Sequence, residues 1–230
     1  QGDKPMSLEQ AELARLVALN AALRVAARHP SLLVPGALQE LVRALAFVRR
    51  GIEVAAEIGA DTFVGPYCSP VGYLPGRRRT QDEWKWCVEA YQEIGPVCQR
   101  HGVTIALEPL NRFETYFLNL ASDGARLCDE IGHPNIGLLI DTFHANIEEK
   151  SVADAYRTAA RHLRHVHTCE NDRGIPGSGH VDWDGVFAAL SEIGYDGYLT
   201  IESFGFAIKE IAAAACIWRD LAPSTDDIAV

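Results

Sequence analysis

Four side chains carry the chemistry this chain can do: Glu108, Asp141, His167 and Glu202. Each stands at the end of a short strand-like run, after VTIAL, IGLLI, RHV and YLTI in turn. A single acid at a strand end is ordinary, most often an exposed salt-bridge partner worth little. Four successive strand ends that each close on a carboxylate or an imidazole form a pattern. Three carboxylates and one imidazole make an oxygen-rich donor set with one nitrogen. That set suits a hard divalent ion such as Mn²⁺, Mg²⁺ or Co²⁺ better than a structural thiolate zinc site.

The elements that must position these groups are legible around them. In VTIALEPLNRFE (103–114), a buried strand delivers Glu108, and Pro109, with no N–H to give, stops the ladder at once. Ser7 and Gln10 make an S-x-x-Q capping box before an Ala/Leu-rich run to about Ala27, within which residues 18–26 read equally as helix or short buried strand. An amphipathic helix is expected over 38–58, ended by Gly59, then a strand over 61–65. Thr80 and Glu83 form a second capping box for a helix running to about Arg100 and ending at Gly102. Further helices are expected over 122–131 (stopped by Gly132), from the Ser151 cap to about Leu163, over 183–193 (stopped by Gly194) and over 207–221, with a frayed polar tail after Pro223.

The repeated order of helix, glycine, then strand specifies parallel pairing. The separations between the strand-end groups, 33, 26 and 35 residues, fit the roughly 31 residues per unit of an eightfold barrel of ~250 residues. No Gly-rich phosphate loop follows the first strand, as an open doubly wound sheet would usually require. The expected fold is therefore α/β, a TIM (β/α)8-type barrel in one domain over 1–230. About six of eight strands are expected here, five placed and a sixth near residue 20, so the barrel reads as N-terminally incomplete.

Composition narrows the partners. The chain has 230 residues, 48% of them hydrophobic, and a formal net charge of -10. Such an acidic balance repels polyphosphate and anionic membrane and favours a small neutral or cationic-metal-bound substrate. No apolar run approaches the ~20 residues of a membrane span, and QGDKPMSLEQ lacks the apolar core of a secretory signal. The six cysteines form no C-x-x-C pair and read as reduced thiols of a cytoplasmic protein.

More polar groups crowd the strand-end rim. Glu114 lies six residues beyond Glu108, His144 follows Asp141 in DTFH, and Glu170, Asn171 and Arg173 follow His167. His165 shares a strand face with His167 one layer deeper and reads as a hydrogen-bonded interior histidine rather than a ligand. The loop GIPGSGH (174–180) has no following lysine to make a phosphate cradle, and reads as a flexible connection that lets Arg173 reach inward. The loop GPYCSPVGYLPGRRR (65–79) has the composition of a lid or substrate wall. Its Tyr67 and Tyr73 can stack on a sugar-like ligand or be ordinary loop tyrosines, and its arginines at 77–79 read as a solvated face or an oligomer contact.

EPLNRFE (108–114), DTFHANIEE (141–149), HTCENDRGIPGSGHVDW (167–183) and IESF (201–204) resemble the motifs of ketose 3-epimerases, the D-tagatose and D-psicose 3-epimerase group of the xylose isomerase-like TIM barrels. The resemblance covers about residues 50–221. It implies that Glu108, Asp141, His167 and Glu202 bind the metal, that Glu114, His144 and Arg173 contact sugar oxygens, and that the chain forms a homo-oligomer. Epimerisation at C3 requires a proton to leave one face of the carbon and return to the other, a task for two carboxylates, Glu108 and Glu202. The same enediolate reprotonated elsewhere gives a hydroxypyruvate-type aldose–ketose isomerase, and related barrels include inosose isomerases or dehydratases. A nuclease of the endonuclease IV type needs more histidines and a basic face, against which the acidic balance speaks. A metal- or sugar-binding remnant is the non-enzymatic alternative.

Overall fold

The computed structural model describes residues 35–221. The Ser7 capping box, the sixth strand expected near residue 20 and the tail after Pro223 lie outside the described residues. Within them the chain alternates helix and strand: α1 (Pro35–Glu57), β1 (Thr62–Gly65), α2 (Gln81–His101), β2 (Thr104–Leu107), α3 (Ala121–Ile131), β3 (Ile136–Asp141), α4 (Thr142–Glu148), α5 (Val152–Ala159), β4 (Leu163–Thr168), α6 (Trp183–Glu192), β5 (Leu199–Ile201) and α7 (Lys209–Ala214).

Local chemistry sets most of these boundaries. The α2 N-terminus carries a reciprocal box, in which the Glu83 N–H donates to Thr80 Oγ1 at 3.1 Å and the Thr80 N–H donates to Glu83 Oε2 at 2.6 Å. Gly59, Gly102, Gly132 and Gly194, the four expected helix stops, all have φ between 67° and 79°. That left-handed conformation strains any residue with a Cβ, which is why glycine ends these helices.

Several boundaries differ from the expectation, beginning with α1, which starts at Pro35 rather than at residue 38. The helix capped by Ser151 stops at Ala159 and tightens into a 3₁₀ turn, Ala160–His162, so that β4 starts at Leu163. The last helix covers Lys209–Ala214 rather than 207–221. There Cys216 turns left-handed (φ 56°) and the Ile217 N–H donates back to the Ala212 carbonyl at 2.8 Å, closing the end without a glycine. Finally, α4 begins immediately after β3, because Asp141 Oδ1 accepts the Phe143 N–H at 2.6 Å and caps it.

The five strands lie in the sheet in chain order, β1-β2-β3-β4-β5, with β3–β4 and β4–β5 parallel. Sequential order with a helical segment between successive strands is the repeat of a TIM-type fold. All six residues of β3 are buried, as expected of a parallel strand covered on both faces, whereas β5, last in the order, is exposed at each of its three residues. In register, Asp141 stands opposite His167, and His167 opposite Thr200. Consecutive strands therefore release their chemistry-bearing residues at one common end.

The described residues divide into two compact units. The first takes in the described chain through Phe63, then Arg79–Ile105 and Glu130–Ile136. In it α1 packs on α2 around Ile52, Trp84, Tyr91 and Ile94, and the Trp84 indole N–H donates to Glu130 Oε2 at 2.7 Å. The second comprises Val64–Arg78, Ala106–Asp129 and the described chain from Gly137 onward. Its core includes Leu107, Leu127, Leu139, Tyr156, Val166 and Val186, with α5 packed on α6. All seven candidate site residues belong to this second unit.

Candidate functional site

Each of the four strand-end groups arrives by the same route. Glu108 is the first residue past β2, its N–H bonded to the Gly65 carbonyl at 3.1 Å; Asp141 closes β3; His167 is the penultimate residue of β4; Glu202 follows β5, its N–H bonded to the Thr168 carbonyl at 3.0 Å. One nitrogen or oxygen from each side chain lies within 4.8 Å of those of the other three. Two ligands across a six-coordinate ion are roughly 4.2 Å apart, so the separations suit one divalent ion.

Two further observations test that fit. Glu108 Oε1 and His167 Nδ1 are buried with no partner in hydrogen-bonding geometry, which ordinarily costs a protein free energy unless another group satisfies them. Instead they face the cluster: Nδ1 is 3.4 Å from Glu202 Oε1 and 3.8 Å from both Glu108 Oε1 and Asp141 Oδ2. With all three carboxylates ionised, the one guanidinium of Arg173 would leave two negative charges over, the charge a divalent ion neutralises. The donor set fits a hard cation on distance, orphaned atoms and charge.

The carboxylates differ in state. Burial, reinforced by the charges of Asp141 and Glu202, pushes Glu108 well above the usual carboxylate range. Burial also raises Asp141, with Arg173 pulling the other way. For Glu202 burial is outweighed by His167 and Asp141 alongside it and by the charge of Arg173, which hold its carboxyl down at about 2. One glutamate of the pair thus favours its neutral form and the other its charged form.

The rim is assembled around Arg173, a residue at φ 70° with a side chain turned inward and buried. Its Nη1 donates to Asp141 Oδ2 at 2.8 Å and to Glu202 Oε2 at 2.7 Å. Its guanidinium carbon lies 4.1 Å from the Phe143 ring centroid and 5.2 Å from that of Phe204, so two aromatic rings hold the charge. Nη2 meets His144 Nε2 at 2.8 Å, while His144 Nδ1 accepts the Asn111 main-chain N–H at 3.0 Å. Burial lowers the His144 imidazole to about 3, so it stays neutral with Nδ1 as its acceptor nitrogen. Asn111 also donates through Nδ2 to Glu114 Oε1 at 2.8 Å, so one asparagine orients two of the expected substrate contacts.

Other expectations meet the structure as follows. His165 stands outside the cluster and contacts Thr200 Oγ1 at 2.9 Å, its ring edge-on to His167. The Tyr67 hydroxyl donates to the Val64 carbonyl at 2.7 Å and is pushed up to about 12 by burial and by Glu108. Tyr73 is exposed, edge-on to Tyr116. Glu170, expected among the rim groups, turns instead into its own loop and accepts hydrogen bonds from four N–H donors, which outweigh its burial and lower its pKa. The loop 174–180 is correspondingly tied down rather than a loose connection. Asn111, Phe143 and Phe204 all stand inside the quoted motifs, but residue type alone gave no sign of what they touch. All six cysteines are free thiols. Among the described residues no helix is long and apolar enough to cross a membrane.

Comparison with known proteins agrees with this arrangement. Residues 2–222 match the xylose isomerase-like TIM barrel family. A probable ketose 3-epimerase of Synechocystis sp. is 40% identical over 185 residues, 80% of this chain and 64% of that protein. An L-ribulose 3-epimerase of Methylomonas sp. is 33% identical over 213 residues, 92% of this chain and 71% of that protein. Among solved structures, D-psicose 3-epimerase with D-tagatose from Clostridium cellulolyticum superposes with a TM-score of 0.75 at 32% identity, covering 80% of this chain and 64% of that one. The chain thus spans 64% of the length of both the Synechocystis and the Clostridium proteins. Since the match runs over nearly the whole chain and the strand order agrees with it, the chain belongs to the xylose isomerase-like TIM barrel family.

Proposed function

We propose that this chain is a divalent-metal-dependent ketose 3-epimerase, acting on a free ketohexose or related ketose, and working in the cytoplasm as a homo-oligomer with Mn²⁺ as its ion. The observation that carries this reading is the convergence of Glu108, Asp141, His167 and Glu202 on one space with two buried donor atoms unpartnered. The 3-epimerase names of the relatives supply the reaction class. The loop 174–180 has no following lysine to make a phosphate cradle, which favours a free sugar over a phosphorylated one.

Glu108, Asp141, His167 and Glu202 would hold the ion. When bound, it supplies Lewis-acid stabilisation of the negative charge that develops on the sugar oxygens as the C3 proton leaves. Glu108 and Glu202, on different strands, take the proton and return one, each serving as base in one direction and acid in the other. Neutral His144 and cationic Arg173 present N–H groups to the developing oxyanion, and Glu114 accepts from a hydroxyl. Because Asn111 and the two phenylalanines already fix these side chains, little reorganisation is needed as charge builds.

The test is solvent deuterium exchange followed by proton NMR, with the protein, Mn²⁺ and D-fructose, D-tagatose or D-psicose in D₂O, with and without chelator. Deuterium at C3 together with the epimer, lost on chelation, is the expected result. Deuterium at C1 or C2 with an aldose product would replace this reading with an aldose–ketose isomerase.

A further inference from the structure

The carboxylate of Glu170 is fully buried, yet its partners are all neutral donors. Oε1 accepts the Gly177 N–H at 2.8 Å and the Trp183 indole N–H at 2.6 Å; Oε2 accepts the N–H of Val181 at 3.1 Å and of Asn171 at 3.3 Å. The loop is closed so tightly over it that a Cβ at Gly179 would sit 2.5 Å from Oε2. The main chain of Glu170 then shapes the turn that follows: its N–H donates to the Gly174 carbonyl at 3.1 Å and its carbonyl accepts the Arg173 N–H at 3.0 Å. On the far side the Phe204 N–H donates to the Arg173 carbonyl at 3.0 Å, and Ser203 Oγ donates to the Gly174 carbonyl at 2.7 Å.

Arg173 occupies a left-handed conformation that strains a non-glycine residue and persists only where its surroundings over-determine it. On one side those surroundings are the Glu170 main chain, which accepts the Arg173 N–H, and the loop that the Glu170 carboxylate gathers. We propose that Glu170 is a positioning residue: its buried carboxylate, acting as the acceptor hub of loop 170–183, holds the Arg173 turn and thereby sets the guanidinium against Asp141, Glu202 and His144. The proposal rests on the reading of Arg173 as a substrate contact, and deepens it by naming what holds that contact in place. An acceptor-only group is required. An amide of the same shape would aim its own N–H at one of the two donor pairs.

The experiment reads the position of Arg173 without using turnover. Arginine modification by phenylglyoxal, located by peptide mass, is compared with reaction of the buried thiols Cys98 and Cys128 as monitors of general opening. Glu170→Gln should raise Arg173 modification at least about tenfold with the thiols still protected. Trp183→Phe, which deletes one donor and keeps the ring, should raise it severalfold and serves if the first variant does not fold. Unchanged Arg173 protection in the variant that folds, or thiols exposed in equal proportion, overturns the proposal. On wild-type turnover, the same change should lower kcat with KM little altered, and Glu170→Gln added to Arg173→Ala should cost nothing further. An additional loss in the double variant also overturns it. Absence of epimerase activity in the wild type would instead strike the proposed reaction and leave the labelling result standing.

Discussion

Glu108 and Glu202 are alike as residues and opposite in state, and the difference comes from what each faces. Glu108, next to a proline and deep in the second unit, meets burial and two like charges; Glu202, less buried, meets Arg173 and His167. Replacing either by glutamine keeps shape while removing the group that moves the proton. Glu108→Gln and Glu202→Gln should each lower kcat at least about 10³-fold, measured on purified variants that retain the wild-type circular dichroism spectrum; robust turnover by either would remove that glutamate from the chemistry. The same pair sets a pH dependence in metal-free protein. A carboxyl raised in the folded state contributes stability that is complete below its unfolded pKa, near 4.5, and is lost as pH climbs through the folded value. A lowered one, Glu202, contributes above about 4.5 and loses it as pH falls toward 2. Metal-free protein should therefore be most stable on the mildly acidic side and decline toward neutrality. An ion must displace the proton on Glu108, so Mn²⁺ should restore the loss and move the optimum upward. Thermal scans from pH 4 to 9, in chelator and in Mn²⁺, read both effects; parallel curves would mean that Glu108 is not in the ion's site.

At the scale of the element, ends matter more than middles. The Thr80–Glu83 box satisfies two N–H groups that α2 would otherwise leave bare, and Thr80→Ala should cost about 1 kcal/mol, or roughly 2–4 °C in Tm for a chain of this size. No candidate site residue lies on α2, so turnover per folded molecule should be unchanged, and a fall in kcat would tie that helix to the reaction. This box, the four left-handed glycines and the apolar run of β3 were legible in the sequence because each is a local choice written in neighbouring residue types. The end of α7 was not, since Cys216 takes a conformation its residue type does not announce. The candidate site divides the same way. Glu108, Asp141, His167 and Glu202 could be read from their place after strand-like runs. Asn111 could not, because the group it uses on His144 is a main-chain N–H brought there by the fold, and the clasp of Phe143 and Phe204 on Arg173 joins residues 61 positions apart. Glu170 was visible as an acid near the rim, but the four donors that turn it away from the rim are spread from Asn171 to Trp183.

For the whole molecule, the consequence is that stabilisation by the ion should be unevenly spread. The four candidate ligands, the rim and the Glu170 loop all belong to the second compact unit, and α1 and α2 belong to the first. Binding that favours only the folded state stabilises by RT ln(1 + [L]/Kd), about 2.7 kcal/mol at a hundredfold excess over Kd. Amides that exchange by opening the second unit should then slow by up to about 100-fold when Mn²⁺ is added, most visibly in β3, β4 and loop 170–183. Amides of α1 should change little, because the units of local stability in a protein are roughly contiguous and each responds to the ligand it binds. Hydrogen exchange read by mass spectrometry at matched pH separates the two. Equal slowing in α1 and β4 would make the molecule one cooperative unit with respect to the ion. Slowing confined to residues other than the strand ends would place the ion elsewhere and take the proposed acid–base pair with it. The excess of acidic residues, -10 overall, sharpens the expectation: screening with salt should weaken nonspecific ion uptake at exposed carboxylates far more than uptake at buried ones, so the strand-end slowing should survive 0.5 M NaCl while any diffuse component fades.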